Sequence, residues 1–315
     1  MQKSSNTSLK PLLLLLFSLL LSSCFEPAIV RNEPPGSQNP TFKTIGPLAP
    51  DGILEAVTWN LEWYGHPFGP ENETLQTQNF LVIMDSLKAD LYAFQEVSGN
   101  DALKRITSRM EGFSGFTASK MSGSQKTAFI YNTNVIDSLS SGYITEGQES
   151  YDWASGRFPF YFKFNYASTD TVITIFAITI HAKCCADRAS YRRRKNAAES
   201  LHAYLTQHKP KANIIILGDY NDDVIVSIYN EQPSPYKVFA IDSERYKIIT
   251  KPFSINSRGT TIGYNNPVDH ITISRGLFDE YMFGSEEVAV WSAEMVDDYQ
   301  HTTSDHYPVW AKFEF

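Results

Sequence analysis

Short runs of apolar, often β-branched residues alternate along this chain with longer segments in which apolar residues recur at helical spacing. The run 214–217, within the stretch NIIILGDYND, is too short for a helix and predicts a fully buried central strand. Similar patterns predict strands at 53–59, 90–94, 127–131, 158–164, 171–180, 268–274 and 308–315. Helical spacing predicts helices over 74–88, 101–110 and 187–207. The pattern indicates one large α/β domain without internal repeats.

The first residues are typical of an export signal rather than of a fold. The leucine-rich run 11–21 follows Lys10 and is too short to span a bilayer, so it is interpreted as the core of a signal peptide. The sequence Leu21-Ser22-Ser23-Cys24 resembles a bacterial lipobox, in which Cys24 becomes the lipidated first residue. The alternative is an ordinary secretory signal with a chance cysteine.

These features predict three segments. Residues 1–23 would be a lipoprotein signal peptide, and residues 24–51, rich in Pro, Asn, Ser and Gly, would be a flexible tether. Residues 52–315 would form the folded domain. Acyl chains on Cys24 would anchor the protein to a membrane without a transmembrane helix. We therefore expect a lipid-anchored location in the bacterial cell envelope, periplasmic or on the outer surface.

Composition narrows the function classes. The net charge of −8 argues against a general polyanion binder, but it allows a hydrolase that meets phosphate through a local site and a metal. Apart from Cys24, the only cysteines are the adjacent pair Cys184 and Cys185. They can form a strained disulfide with each other in an oxidising compartment or remain two free thiols.

Polar side chains that could bind a metal or transfer a proton stand at the beginning or end of several predicted strands. They are carboxylates, amides and imidazoles: Asn60 with Glu62, then Glu96, His181, Asp219 with Asn221, Asp269, and Asp305 with His306. Carboxylates with amide neighbours suit a hard cation such as Mg²⁺ or Mn²⁺, with Ca²⁺ a further option. Histidines beside acids suit proton transfer near neutral pH. Such a set fits metal-assisted hydrolysis of a phosphate ester.

The motifs WNLEW, FQEV, TIHAK, LGDYND, PVDHITIS and SDHYPVW occur in the order found in the endonuclease/exonuclease/phosphatase superfamily. That superfamily includes deoxyribonuclease I, class II AP endonucleases, neutral sphingomyelinases and inositol polyphosphate 5-phosphatases. The resemblance covers about 52–315. It implies a four-layer α/β sandwich, in which two packed, mostly antiparallel sheets are flanked by helices.

The resemblance also implies a metal site that is built from four residues. Glu96 resembles the principal metal ligand, and Asn60 resembles the asparagine that orients a carboxylate ligand and the phosphate. Glu62 stands where some members have a metal-binding Asp, and its alternative role is that of a solvated acid at the rim. Asp305 matches an additional acid beside the metal.

Five further residues match catalytic positions of the family. His181 resembles the phosphate-side histidine, while Asp219 and Asn221 match the pair that positions the nucleophilic water and the scissile phosphate. Asp269 resembles the acid that orients the catalytic histidine, His306. Taken one at a time, the asparagines could be turn residues and His181 a core histidine.

Arg157 lies in SGRFPFYFKF, which resembles the nuclease branch of the family. There an Arg before a Pro reaches a substrate phosphate, so Arg157 is expected to bind phosphate, with a strand-edge charge as the alternative. One departure concerns His181, whose equivalent in the deoxyribonuclease I branch is partnered by a Glu. Gln125 or Lys126 occupies that place here, and a neutral Gln would not raise the pKa of His181.

The sequence thus predicts a divalent-metal-dependent phosphodiester hydrolase, a nuclease exported as a lipoprotein, with nucleic acid or another phosphodiester as substrate. A first alternative is a phosphoesterase acting on phospholipid, as sphingomyelinases do, or on inositol phosphate. Ile216 and His270 replace the Trp and Arg of the 5-phosphatase pattern and disfavour inositol phosphates. A second alternative is a non-catalytic surface-binding lipoprotein. Idle buried polar groups are costly and argue against it. The basic run 192–195 is interpreted as a solvated helix face.

Overall fold

The computed structural model describes residues 42–121, 123–154, 156–168 and 171–315. The predicted signal peptide, the lipidation site Cys24 and most of the predicted tether lie outside the described residues. Ile45 is buried, and it forms a β-bridge with Met110 and donates its backbone N–H to the carbonyl oxygen of Arg109 at 2.8 Å. The packed part of the chain therefore includes Ile45, which lies in the segment that the sequence assigned to the tether.

The described residues contain twelve strands. In chain order these are β1 (Ile53–Tyr64), β2 (Leu91–Val97), β3 (Phe113–Thr117), β4 (Lys126–Asn132), β5 (Ile136–Tyr143), β6 (Phe160–Ala167), β7 (Val172–His181), β8 (Asn213–Asp219), β9 (Tyr246–Ile248), β10 (Asp269–Ser274), β11 (Glu287–Val288) and β12 (Val309–Glu314). They form two six-stranded sheets with the orders β11-β12-β1-β2-β4-β3 and β5-β6-β7-β8-β10-β9.

The described residues also form six α-helices, three longer and three shorter. They are α1 (Glu73–Leu87), α2 (Asn100–Thr107), α3 (Arg188–His208), α4 (Lys237–Ile241), α5 (Lys251–Ile255) and α6 (Tyr299–Thr302). Asn72 caps α1 by accepting the N–H of Leu75 at 3.0 Å, and Asp187 caps α3 by accepting the N–H groups of Ala189 and Ser190. In the part of the chain that the structure describes, no helix has the length and apolar character needed to cross a bilayer.

Each sheet contains one parallel pair of strands. β1 pairs with β2 and β7 pairs with β8 in parallel, with α1 and α3 as the respective crossovers, whereas the other pairings within the sheets are antiparallel. The predicted mostly antiparallel pair of sheets is therefore confirmed. The parallel pairs matter for chemistry because the C-terminal ends of both strands in a pair lie side by side, at the same end of the sandwich.

Side-chain alternation along the strands separates the interior into layers. Leu54 and Ala56 of β1 pack between the two sheets, in one cluster with Phe162 of β6 and Ile215 of β8. Val57 and Trp59 of β1 face the other way and pack on the helix side of the sheet, where the rings of Trp59 and Phe80 of α1 meet at 5.0 Å. On the second sheet, the outer face packs against α3 in the same way. The four-layer sandwich that the sequence predicted is confirmed.

Every strand that the hydrophobic pattern predicted is present, but β3, β5, β9 and β11 were not predicted. β3 has the sequence FSGFT, in which a central Gly interrupts the pattern, and most of β5 is exposed and polar. β9 and β11 are only three and two residues long. All four unpredicted strands lie at a sheet edge, where only one neighbour is required and apolar alternation is weak.

Candidate active site

Strands of the first sheet bring three predicted site residues to one edge. Asn60 and Gln95 are opposite each other on the parallel strands β1 and β2, so Asn60 and Glu96 lie near the same strand ends. β12 runs antiparallel to β1 and therefore starts at this edge, where His306 precedes it by three positions.

The second sheet contributes a matching set. His181 and Asp219 are paired at the ends of the parallel strands β7 and β8. Asp269 begins the antiparallel strand β10 directly opposite Asp219. Gly218 is required here because a Cβ at this position would overlap the carbonyl oxygen of Ile180 on β7. The topology therefore gathers the carboxylates and imidazoles at one end of the sandwich.

Gln95 links the two sheets directly beneath these residues. Its buried Nε2 donates to the hydroxyl oxygen of Thr58 on β1 at 3.1 Å and to that of Thr179 on β7 at 3.0 Å. A buried side-chain amide that is satisfied on both sides fixes the relative position of the strands that it joins. Gln95 was not predicted as a site residue, although alternation in FQEV places it on the inner face.

Glu96 is turned into the site by an unusual backbone conformation. Strand alternation would direct Glu96 away from the inner face that Gln95 occupies, but its φ of 60° departs from the extended conformation. Its Oε1 accepts the side-chain N–H of Asn60 at 3.3 Å, and its Oε2 accepts the backbone N–H of Trp63 at 3.1 Å. A strained residue held by specific contacts is a common feature of functional sites.

Glu62 lies in an irregular part of β1, where the pairing with β2 shifts between Asn60 and Tyr64. The φ of Glu62 is 47°, and its backbone N–H donates to the side-chain oxygen of Asn60 at 3.0 Å. Burial raises the pKa of Glu62 to about 7, and the negative charges of Asp305 and Glu96 add to the rise. Its Oε2 is buried and has no hydrogen-bond partner among the described residues.

Three donors converge on one carboxylate oxygen of Asp219. The side-chain nitrogens of Asn60 and Asn221 lie 3.1 and 2.9 Å from Oδ2, and Nε2 of His181 lies 3.6 Å away. Asn221 has a φ of 52°, and its own N–H donates to Oδ1 of Asp219 at 2.8 Å, an Asx turn. Burial raises the pKa of Asp219 to about 7; the charge of His306 opposes the rise, and that of Asp269 adds to it.

His181 is oriented from behind by Arg157. Nη1 of Arg157 lies 2.9 Å from Nδ1 of His181. A guanidinium only donates, so Nδ1 must accept and the ring proton of neutral His181 lies on Nε2. That proton faces Oε1 of Glu96 at 3.5 Å, as well as Asp219. Burial and then the charge of Arg157 lower the pKa of His181 well below its ordinary value.

The other contacts of Arg157 complete this support. Its Nη1 also donates to the side-chain oxygen of Gln125 at 2.8 Å, and its Nη2 donates to the carbonyl oxygen of Ala182 at 3.1 Å. Gln125 therefore acts on His181 through Arg157 rather than directly. The predicted contact of Arg157 with a substrate phosphate stays a prediction.

His306 forms the second histidine unit. Its Nδ1 lies 2.8 Å from Oδ2 of Asp269, which is completely buried. Burial alone would lower the pKa of His306, but the carboxylate of Asp269 outweighs this and holds the pKa well above its ordinary value. The carbonyl oxygen of His306 accepts from Nε1 of Trp59 at 3.0 Å and from the hydroxyl of Tyr299 at 2.7 Å. His306 is thus held in place through both its ring and its backbone carbonyl group.

A divalent cation fits beside Glu96 and Glu62. The partnerless oxygen of Glu62 and the mutual repulsion of these acids are both relieved by a positive charge. Within the described ranges, no group of three or more His, Cys, Asp or Glu is placed so that it could hold a metal ion. A cation there would take one or two carboxylates and keep several waters, which is the usual binding mode of Mg²⁺.

The sequence model of one family matches residues 57–306, which include all of these side chains. This chain belongs to the endonuclease/exonuclease/phosphatase family. No curated protein matches it.

Solved structures of the endonuclease/exonuclease/phosphatase fold resemble this chain. An endonuclease/exonuclease/phosphatase from Bacteroides vulgatus superposes with a TM-score of 0.60 at 13% identity, covering 84% of this chain and 100% of that one. The human Nocturnin catalytic domain with bound sulfate anion gives 0.56 at 16% identity, covering 84% and 95%. D. rerio TDP2 complexed with single strand DNA product gives 0.56 at 12%, covering 84% and 100%. Identities this low show the shared fold alone.

In this endonuclease/exonuclease/phosphatase domain, only part of the basic run 192–195 is the solvated face that the sequence predicted, because Arg192 and Lys195 are exposed. Arg193 and Arg194 are buried. Nε of Arg194 donates to Oδ2 of the buried Asp222 at 2.8 Å, and Arg193 lies over the ring of Tyr151. Helical spacing of Arg194 with Ala197 and Leu201 could have revealed its inward position.

Proposed function

We propose that this protein is a divalent-metal-dependent phosphodiester hydrolase that cleaves nucleic acid. The observation that carries the proposal is the convergence of Asn60, Asn221 and His181 on the carboxylates of Asp219 and Glu96, beside the His306–Asp269 pair. Neutral donors that face one point can bind the oxygens of a phosphate, and preorganised donors stabilise the charge that develops in a transition state.

Each side chain has a role in this scheme. When substrate binds, the amides of Asn60 and Asn221 and the Nε2–H of His181 would turn from the carboxylates that they contact here to the non-bridging oxygens of the scissile phosphate. Asp219 or His306, oriented by Asp269, takes the proton from the attacking water. The raised pKa values of both groups give them affinity for that proton.

Glu96 is the principal residue that would hold the cation, with Glu62, Asn60 and Asp305 around it. A bound Mg²⁺ or Mn²⁺ would supply Lewis-acid stabilisation of negative charge on the phosphate. Family members are generally phosphodiesterases and nucleases that use such ions, which supports this assignment.

A nucleic acid substrate is favoured over a lipid. The TDP2 structure that shares this fold contains a single-stranded DNA product. The segment around Arg157 resembles the nuclease branch. The net charge of −8 requires that recognition be local to the site rather than spread over the surface.

Turnover on a panel of phosphodiesters tests the proposal. Single- and double-stranded DNA, RNA, sphingomyelin and an inositol polyphosphate would be assayed with Mg²⁺, with Mn²⁺ and with a chelator. We expect chelator-sensitive cleavage of nucleic acid. Cleavage of sphingomyelin or of the inositol polyphosphate alone would replace the nucleic acid assignment, and no turnover on the whole panel would favour a binding protein.

The location is part of the same proposal. The lipobox-like Leu21–Cys24 supports export and lipidation at Cys24, which would place the domain in the bacterial cell envelope, in the periplasm or on the outer surface. An enzyme held there would meet phosphodiesters outside the cytoplasm.

A further inference from the structure

Two adjacent thiols lie at the rim of the candidate active site. Cys184 and Cys185 follow His181 by three and four positions, and both are exposed. Their Sγ atoms lie 2.9 Å apart, and Nζ of Lys183 lies 3.0 Å from Sγ of Cys184. An ammonium group beside a thiol favours the thiolate, which is the nucleophilic form.

We propose that Cys184 and Cys185 form a reversible redox-modification site, which a low-molecular-weight disulfide such as oxidised glutathione converts into a disulfide between the two residues. The thiolate of Cys184 attacks one sulfur of the reagent, whose S–S bond breaks and releases one thiol. Cys185 then loses its proton to solvent and attacks Sγ of Cys184, and the second thiol leaves. Two electrons pass from the cysteine pair to the reagent.

The pKa values of the two thiols are shifted in opposite directions, as a reaction with one attacking and one resolving cysteine requires. Burial acts to raise the pKa of Cys184, but the hydrogen bond with Cys185 and the nearby Lys183 outweigh it, so the pKa is lowered. The hydrogen bond with Cys184 raises the pKa of Cys185. Cys184 is therefore the attacking residue and Cys185 the resolving one.

A disulfide between neighbours in sequence is strained. Consecutive Cα atoms are about 3.8 Å apart across a trans peptide, which is shorter than the usual separation of about 4.4–6.8 Å in disulfides. Strained, exposed disulfides have more oxidising potentials and are reduced readily. The pair is thus suited to switching rather than to holding the fold together.

The loop that carries these cysteines is fastened to the active site through its carbonyl groups. The carbonyl oxygen of Ala182 accepts from Nη2 of Arg157 at 3.1 Å and from Nδ2 of Asn221 at 3.2 Å. The carbonyl oxygens of Lys183 and Cys185 accept from Nη1 of Arg194 at 2.8 and 2.9 Å. Formation of the disulfide changes the backbone conformation between these carbonyl groups and displaces the side chains that donate to them.

We therefore expect oxidation to lower turnover; this part rests on the proposed function. A displacement of about 1 Å in a catalytic site can cost about a hundredfold in rate, so a smaller shift of Arg157 and Asn221 should cost about tenfold.

The test uses the full chain with Cys24→Ser, in which Cys184 and Cys185 are the only cysteines. The protein would be incubated with oxidised glutathione in the presence of a chelator, transferred to Mg²⁺ buffer and assayed, and the remaining thiols would be counted by alkylation and mass spectrometry. We expect loss of both thiols without a bound glutathione, together with the fall in turnover. Dithiothreitol should reverse both changes.

Three variants in the same background locate the effect. Cys185→Ser should retain glutathione on Cys184, because no resolving thiol is present. Cys184→Ser should react more slowly, and the double variant Cys184→Ser/Cys185→Ser should keep its turnover in oxidised glutathione.

Free thiols after prolonged incubation, or glutathione that stays on the unsubstituted pair, would overturn the proposed modification site. Complete closure with unchanged turnover would overturn its connection to the active site. If the reduced protein cleaves no substrate, the proposed function fails, while the thiol count still decides whether the pair closes.

Discussion

Nη1 of Arg157 lies 2.9 Å from Nδ1 of His181, at the position where the family resemblance leads one to expect a carboxylate. The difference changes the chemistry of the ring. A carboxylate would stabilise imidazolium, whereas a guanidinium excludes a proton from Nδ1 and keeps His181 neutral. His181 is therefore suited to donating a hydrogen bond through Nε2, and the two histidines of the site are not equivalent.

Replacing Arg157 with Met should lower turnover by about 10- to 100-fold, because a hydrogen bond to a charged group contributes about 1.5–3 kcal/mol. Arg157→Lys keeps the charge with a different donor geometry and should recover part of the loss. The decisive measurement is nitrogen NMR of the His181 ring, which should show the Nε2–H form in the natural chain and a mixture of forms in Arg157→Met.

The matched control is Arg192→Met, since Arg192 is an exposed arginine on α3. It should leave turnover and the His181 spectrum unchanged. A single Nε2–H form in Arg157→Met would show that Arg157 does not set the ring's protonation.

The contact between Arg157 and His181 is a part of the site that the sequence could not predict. Strand ends could be predicted because apolar runs end where polar residues begin, and this was sufficient to place Asp219, Asp269 and His306 in one candidate site. The partner of His181 could not be predicted in this way. Arg157 comes from the loop before β6, and its long side chain can reach several places that only tertiary packing distinguishes.

Glu96→Gln should weaken Mg²⁺ or Mn²⁺ binding. Loss of a partner that only orients a ligand costs about 10- to 100-fold in metal affinity, so loss of the charge on the principal ligand should cost about 100-fold or more. The change also leaves an amide N–H facing either the side-chain N–H of Asn60 or the backbone N–H of Trp63. Calorimetric titration with Mn²⁺, accompanied by a thermal unfolding measurement, separates the two effects.

Glu111→Gln is the control, because Glu111 is an exposed glutamate whose charge is lost in the same way. Its metal affinity should match that of the natural chain. Unchanged affinity in a folded Glu96→Gln protein would remove Glu96 from the metal site.

Asp90 should make the fold less stable at higher pH. It is buried beside Asn132, whose Nδ2 donates to its Oδ1 at 2.8 Å, and burial raises its pKa from 3.8 to about 7. Between these values the folded state keeps a proton that the unfolded chain releases. The free energy of unfolding therefore falls as the pH rises, by up to about 1.4 kcal/mol per pH unit from this group.

Asp90→Asn should remove that part of the pH dependence and raise the free energy of unfolding at pH 8 relative to the natural chain. Urea unfolding at pH 5 and pH 8 measures the difference. Asp137→Asn, at an exposed position on β5, should leave the pH dependence as it is. Parallel pH curves for the natural chain and Asp90→Asn would contradict the assignment.

Cys24→Ser should release the protein from membranes, because a thioether-linked lipid cannot form on serine and the chain would lose its anchor. Fractionation of cells that produce the natural chain and the variant measures the change. Cys184→Ser, which keeps Cys24, should remain membrane-bound. Membrane association of the Cys24→Ser chain would exclude lipidation at this residue as the anchor.

His306→Ala should lower turnover by about 10²–10⁴-fold, the usual contribution of general acid–base catalysis. Asp269→Asn should cost less, because the 2.8 Å contact can persist with an amide in place of the carboxylate. The losses in the double variant should be smaller than the product of the single losses, since the two residues act as one unit. Turnover of all three variants on a dinucleotide or plasmid substrate measures this.

A second histidine–aspartate pair provides the control for His306. Nε2 of His202 lies 2.8 Å from Oδ2 of Asp242, outside the candidate site, so His202→Ala should leave turnover unchanged.

The raised pKa of His306 allows a second test, which is the pH dependence of turnover. If His306 is the base, turnover of the natural chain rises from neutral into alkaline pH as the imidazolium loses its proton, and His306→Ala lacks that rise. Near-normal turnover in His306→Ala, or losses that simply multiply, would assign the proton acceptor to Asp219 instead.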